Sequence, residues 1–157
     1  MAIGIGEKLP HATVFDRELN PVDLAEYGRG KPLVLLFFPG SFTSVCEKEL
    51  CTFRDQMARY NELGAQVVGI STDTPFCQAA FAEKIGITYP LLSDFNKEAI
   101  RACGVVLPEL KGLKELAQRA AFVVDGDGVV RWAWVAEHPG LEPPYDEVAR
   151  AVAEIAG

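Results

Sequence analysis

The sequence is short of positive charge. Its 15 Lys and Arg stand against 22 Asp and Glu, a formal net charge of −7. A surface that grips nucleic acid or an anionic membrane needs the opposite excess on one face, so neither partner is expected. Long apolar runs are missing too. The longest, Leu33 to Phe38, is far below the roughly 20 residues that cross a bilayer. The start, Met1 to Lys8, has neither the basic nor the apolar segment of a secretory signal,. These absences lead us to expect a soluble, cytoplasmic protein. With no internal repeat, low-complexity tract or linker, the 157 residues read as one domain,.

Metal and cofactor patterns are equally scarce. The four cysteines and two histidines contain no C-x2-C or H-x3-H pair, and the spacing of Cys46 to Cys51 is not that of a zinc site. Absence of C-x2-C also disfavours a thioredoxin-type disulfide reductase. Gly4-Ile5-Gly6 is followed by Leu9 where a dinucleotide fingerprint needs its third glycine,. A calcium loop starting at Asp125 would end on Ala136 instead of Glu,. No metal or cofactor is therefore expected. A chain of this length can bury a sufficient core without staples, so its cysteines need another reason.

What the sequence does contain is an alternation of strands and helices. Ala12 to Asp16 and Val22 to Leu24 read as an N-terminal β-hairpin, with a Gly-rich exit at Gly28-Arg29-Gly30,. Leu33 to Phe38, apolar throughout and bounded by Pro32 and Pro39, reads as a central strand covered on both faces,. From Ser44 to Leu63 the pattern is helical, because Cys46, Leu50, Phe53, Met57 and Tyr60 fall on one stripe,. Ser44 with Glu47 fits a capping box. Gln66 to Ile70 reads as a strand, and Thr74-Pro75 opens a helix that stops at Gly86,.

A short strand at Tyr89 to Leu92 and a helix at Asn96 to Cys103 follow. Val105 to Gln118 reads as a less regular stretch, and within it Val105 to Leu116, interrupted by Pro108 and Gly112, as a partner-facing or substrate-facing loop. The chain closes with a hairpin, Ala120 to Val124 and Val129 to Val135, and a helix from Pro144,. Trp132 and Trp134 share one face of that hairpin, as core packing requires. His11 and His138 have no visible partners and read as surface or capping residues. This order predicts an α/β thioredoxin-like sandwich, a central mixed β-sheet flanked by helices with the N-terminal hairpin as an extension.

The chemistry concentrates at Cys46. It falls in the first turn of a helix that follows the central strand through a Pro- and Gly-containing loop, where unpaired backbone N–H groups and the helix dipole favour a thiolate. Cysteine is also among the most buried residue types, so an inert core cysteine is the competing reading. Position at a strand-to-helix switch, where α/β proteins bind ligands, favours function.

Pro39, Thr43 and Cys46 stand in the spacing P-x3-T-x2-C, with Glu49 three residues on and Arg119 far downstream. This pattern resembles the active-site signature of the peroxiredoxins. The likeness continues in order through Val67 to Ser71, Tyr89 to Asp94 and Arg119 to Asp125. The resemblance implies a thiol-dependent peroxidase acting on hydrogen peroxide and organic hydroperoxides without a cofactor. It assigns Cys46 as the peroxidatic cysteine, whose thiolate becomes a sulfenic acid. Thr43 would align the peroxide, Arg119 would stabilise the thiolate and the developing oxygen charge, Pro39 would limit water, and Glu49 would orient the arginine. Taken singly, these residues could instead be a strand terminator, a helix cap, a solvated carboxylate and half of an ion pair. Arg54, nearly two turns past Cys46, reads as structural.

Three cysteines compete to resolve the sulfenic acid. Cys51 matches the spacing of the bacterioferritin comigratory, or Q, type, although ideal helix geometry puts Cα atoms five apart at roughly 8.6 Å, beyond disulfide reach unless the helix unwinds. Cys77, in the first turn of the next helix, ranks second, and Cys103 last. The one-cysteine alkyl hydroperoxide reductase E type is resembled about as well; there thioredoxin, glutaredoxin or a low-molecular-weight thiol would reduce the sulfenate. A monomer or a homodimer fits. The rival function is a non-catalytic thioredoxin-like module that binds another protein and keeps Cys46 inert.

Overall fold

The computed structural model describes residues 2–156. Its centre is Leu33–Phe37 (β3), apolar and buried at every position. Such a strand needs cover on both faces and pairing on both edges. It pairs in parallel with Gln66–Ser71 (β4) and antiparallel with Ala120–Val124 (β8), itself buried at all five positions. Outward from β4 lie Leu91–Ser93 (β5), parallel to it, and the hairpin of Thr13–Phe15 (β1) and Pro21–Asp23 (β2). Outward from β8 lies Val130–Val135 (β9). The seven strands run β2-β1-β5-β4-β3-β8-β9, a mixed sheet with the N-terminal hairpin extending one edge. This is the thioredoxin-like sandwich anticipated from the order of elements.

Because side chains alternate along a strand, β3 supplies both cores. Leu33, Leu35 and Phe37 join Val68, Ile70, Phe122 and Ile100 on one face. Val34 and Leu36 join Val67, Ala121 and Val123 on the other, where the helices Ser44–Asp55 (α1), Met57–Glu62 (α2), Pro75–Ile85 (α3) and Tyr145–Ala156 (α5) bring Leu50, Phe53, Tyr60, Phe81 and Val152. Glu98–Ala102 (α4) covers the first face through Ala99 and Ile100. Trp132 and Trp134 pack against the second core. Gly69 on β4 has a steric reason: a Cβ there would stand 2.8 Å from Leu91 Cδ2 and 3.2 Å from Phe38 Cε1.

Four local expectations change. The stripe from Cys46 to Tyr60 is real, but its helix divides at Gln56, whose backbone (φ −98°, ψ 4°) departs from helical values. Nothing in Asp55-Gln56-Met57 signals that break. The capping box does not form, because the helix begins one residue before it was placed: Thr43 is the N-cap and makes no side-chain cap bond.

Val105 to Gln118 is largely regular: Val106–Leu110 (β6) and Leu113–Ala117 (β7) form a separate antiparallel hairpin. Its two turn residues, Lys111 (φ 50°) and Gly112 (φ 90°), both have positive φ, the geometry that matches a hairpin's twist,. Pro108 is tolerated where the ladder skips a pair beside Glu115, itself at φ 56°,. Finally, His11 is not partnerless: its Nδ1 lies 2.7 Å from Asp23 Oδ2 on the surface.

The other helix signals are realised in place. Thr74 caps α3 by accepting the Cys77 N–H at 3.2 Å, Pro75 takes the first helical position, and Gly86 closes the helix at φ 71°.

Candidate active site

The parallel register Leu33↔Gln66 through Phe37↔Ile70 brings the C-terminal ends of β3 and β4 level. Loops leaving those ends therefore meet above the sheet edge. After β3 the chain runs through Phe38 and Pro39, both buried, into a turn over Gly40 to Thr43 and then α1. Within the turn the Thr43 hydroxyl donates to the Gly40 carbonyl at 2.9 Å. Phe42 adopts φ 64°, a left-handed conformation that an L side chain resists,. Its ring packs on Phe81 of α3 at 5.1 Å between centroids.

Cys46 is the third residue of α1 and is fully buried. Arg119 reaches it from the opposite direction, because the antiparallel register Phe37↔Ala120 places the residue preceding β8 beside the end of β3. Its Nη2 donates to Cys46 Sγ at 3.2 Å, and its Nη1 to Glu49 Oε1 at 2.6 Å. Glu49 lies one helical turn beyond Cys46. The Pro139 carbonyl accepts from Arg119 Nε at 3.2 Å and Nη2 at 2.9 Å. The guanidinium is thus fixed by a helix carboxylate, the thiol sulfur and a loop carbonyl.

Burial opposes charge on both members of the ion pair. It pushes the Glu49 carboxyl up to about 7, with Arg119 opposing that rise and Glu142 adding to it. For Arg119 burial works against the cation, but Glu49 and Cys46 outweigh it and hold the guanidinium above its ordinary value. Glu49 Oε2 is buried without a hydrogen-bond partner among the described residues. At the rim, Lys48 meets Glu142 at 3.2 Å, and the Tyr145 hydroxyl donates to Glu142 at 2.6 Å.

The structure therefore brings Cys46, Glu49 and Arg119 together, and buries Pro39 at the start of the loop that leads from β3 to α1. It places Thr43 on the same turn with its hydroxyl directed to Gly40, exposed, instead of on the sulfur. Arg54 bonds Asp55 and the Ile85 carbonyl, away from the sulfur. All four cysteines are free. Cys51 is half-buried within the same unbroken helix as Cys46. Cys77 lies beside Ser41, its thiol pushed up by burial and by Asp73, with Ser41 opposing. Cys103 is fully buried, which raises its thiol to about 12.

Two contributors carried no sequence signal. Pro139 acts through a backbone carbonyl, which any residue could supply. Asp73, in the loop after β4, accepts from Ser41 N at 2.8 Å and Ser41 Oγ at 2.9 Å. The only clustered metal-type ligands among the described residues are His11, Asp23 and Glu26 on the hairpin surface, where His11 and Asp23 already bond each other.

Residues 5–133 match the AhpC/TSA family. Peroxiredoxin Q of Sedum lineare is 38% identical over 126 residues, covering 80% of this chain and 66% of that one. The crystal structure of peroxidoxin BcpB from Mycobacterium tuberculosis superposes with a TM-score of 0.85 at 32% identity, covering 98% of each chain. That of a peroxiredoxin-like protein from Aquifex aeolicus gives 0.88 at 29%, over 99% of this chain and 89% of the other. The signature around Cys46, the sandwich and these relatives agree: the chain belongs to the AhpC/TSA family and is a peroxiredoxin, a thiol-dependent peroxidase that takes a peroxide substrate and a thiol reductant.

Proposed function

We propose that Cys46 is the peroxidatic thiol and that Arg119, Glu49, Thr43 and Pro39 form its surroundings. The observation that carries this reading is the bond from Arg119 Nη2 to Cys46 Sγ at 3.2 Å, in a guanidinium already fixed by Glu49. An inert core cysteine has no need of a buried cation. In the reaction the Cys46 thiolate attacks one peroxide oxygen; an S–O bond forms as the O–O bond breaks. The departing oxygen takes a proton and leaves as water or an alcohol, and Cys46 is left as a sulfenic acid. Arg119 faces both the sulfur and the position where negative charge moves onto the oxygens, and it needs no reorganisation to do so. The Thr43 hydroxyl, now on Gly40, lies on the turn beside the sulfur and reorients toward an incoming peroxide. Buried Pro39 offers no N–H to compete for it,.

Resolution follows by one of two routes. Cys51 condenses with the sulfenic acid, releasing water and forming a disulfide, once the first turns of α1 unwind. Alternatively, thioredoxin, glutaredoxin or a low-molecular-weight thiol attacks directly. The half-buried position of Cys51 near Cys46 in sequence supports the first; Cys77, beside Ser41 of the turn that leads into α1, is the second candidate. The molecule works as a monomer or a homodimer.

The test is intact mass and free-thiol count after one equivalent of hydrogen peroxide in wild type, Cys46→Ser and Cys51→Ser. Loss of two thiols and two mass units in wild type, abolished by Cys46→Ser, supports the two-cysteine route, and loss of the same change in Cys51→Ser identifies the partner. A gain of one oxygen on Cys46 in wild type assigns the external-thiol route. No change in any of the proteins refutes the assignment of Cys46.

A further inference from the structure

The turn that carries the active-site residues is anchored from outside itself. Asp73 Oδ2 collects three donors: the Ser41 backbone N–H at 2.8 Å, the Ser41 hydroxyl at 2.9 Å and the Ser71 hydroxyl at 2.7 Å. The anchor's own side is rigid. Ser71 ends β4, and its hydroxyl also receives Gln78 Nε2 of α3 at 2.9 Å. Ser93, at the end of β5, donates its hydroxyl to the Asp73 carbonyl at 2.5 Å. Two strand ends and a helix therefore fix Asp73, and Asp73 fixes Ser41. One residue later, Phe42 is held at φ 64° against Phe81.

We propose that Asp73 is a positioning residue for the peroxide reaction, holding the Gly40–Thr43 turn so that the Gly40 carbonyl, the Thr43 hydroxyl and the N-terminus of α1 keep their places around Cys46. The inference rests on the peroxidase reading of that site. The turn needs such an anchor because its own bonds do not determine it. The single internal hydrogen bond, Thr43 Oγ1 to Gly40 O, is the one that must open when the hydroxyl turns to a peroxide. With that bond open and Phe42 in a resisted conformation, the clamp on Ser41 is what keeps the backbone from relaxing. A near-attack geometry is sensitive to displacements of about an ångström, so the clamp acts on the rate without touching the substrate.

The experiment compares Asp73→Ala, Asp73→Asn and Ser41→Ala with wild type in two reactions at Cys46. One is the second-order rate of sulfenic acid formation with hydrogen peroxide. The other is alkylation by iodoacetamide, which needs the thiolate but no aligned O–O bond. Asp73→Ala should react with peroxide at least tenfold more slowly, while its alkylation rate does not fall. Asp73→Asn, whose carbonyl oxygen can accept the same donors, should stay within threefold of wild type. Ser41→Ala keeps the backbone bond and should slow the peroxide reaction about threefold; it decides the matter if Asp73→Ala fails to fold. Equal falls in both reactions, an Asn variant as slow as the Ala variant, or peroxide rates unchanged throughout would each overturn the positioning role. A wild type inert to peroxide would sink the peroxidase reading instead, a result the variants cannot imitate.

Discussion

Replacing Arg119 with methionine removes the cation from Cys46 and strands a buried carboxylate in one step, and the two consequences can be separated. For the chemistry, unit charges 3.2 Å apart attract by about 5 kcal/mol gross at an effective dielectric near 20. Against water as the alternative partner, a hydrogen bond to a charged group is worth a net ~1.5–3 kcal/mol. If the bond is kept into the transition state, Arg119→Met should slow the reaction with hydrogen peroxide roughly tenfold to 150-fold.

For the fold, Glu49 loses its 2.6 Å partner, and an unpaired buried charge costs about 3–5 kcal/mol. That cost has a predictable pH dependence. Burial already lifts the Glu49 carboxyl to about 7 from an unfolded value of 4.5 with Arg119 opposing the rise, and removing Arg119 lifts it further. A carboxyl raised in the folded state contributes its stability in full below the unfolded value and loses it as pH rises through the folded one. The deficit of Arg119→Met should therefore be small at pH 4.5 and grow as the pH passes through 7, measured by urea unfolding.

Adding Glu49→Gln should restore most of the stability near neutral pH, since a buried ion pair can give way to neutral groups of similar volume with little loss. The reaction rate should remain low. A double variant that folds as stably as wild type and still reduces peroxide within threefold of it would refute the role given to Arg119.

Thr43→Val should slow sulfenic acid formation by about two to three orders of magnitude, in line with loss of a single transition-state hydrogen-bond donor, whereas Thr43→Ser should retain most of the rate; stopped-flow kinetics with both variants checks this. Gly69→Ala, which would drive a Cβ to 2.8 Å from Leu91 Cδ2, should destabilise the fold by about 1–3 kcal/mol, with a lower urea midpoint and an unchanged m-value. Cys103, fully buried with its thiol at about 12, should stay unlabelled by Ellman's reagent in the native protein and react only on unfolding; rapid native labelling would contradict its placement.

Much of this arrangement was legible because it rests on periodicity and on side chains with distinctive chemistry. The unbroken apolar run at Leu33 to Phe38, bounded by prolines, reads best as a central strand, and the stripe from Cys46 to Tyr60 as a helix face turned to a core,. Thr74, Pro75 and Gly86 mark both ends of α3 by capping chemistry alone. The signature residues Pro39, Cys46, Glu49 and Arg119 could be grouped only through their resemblance to the peroxiredoxin pattern, since each taken singly has an ordinary structural reading.

What stayed hidden depends on backbone geometry or on tertiary choice. A carbonyl such as that of Pro139 has no side-chain signature. The break at Gln56 arises in a stretch of ordinary helix formers. The β6–β7 hairpin was obscured by Pro108, which normally argues against a strand, and is rescued by two consecutive positive-φ residues at Lys111 and Gly112. The Thr43 hydroxyl had several acceptors within reach, and sequence could not rank the Gly40 carbonyl among them.

The antiparallel register of β3 with β8 has a consequence for the protein's life before it is complete. Cys46 and Arg119 are 73 residues apart in the chain yet bonded in the fold, and only the Phe37↔Ala120 pairing sets them side by side. A slip of one residue would turn every side chain of β8 to the opposite layer, removing the guanidinium from the thiol. During synthesis the cysteine emerges long before the arginine exists, so a nascent chain carries no assembled peroxide trap. The Arg119-supported site is therefore complete only once β8 has docked against β3 in register.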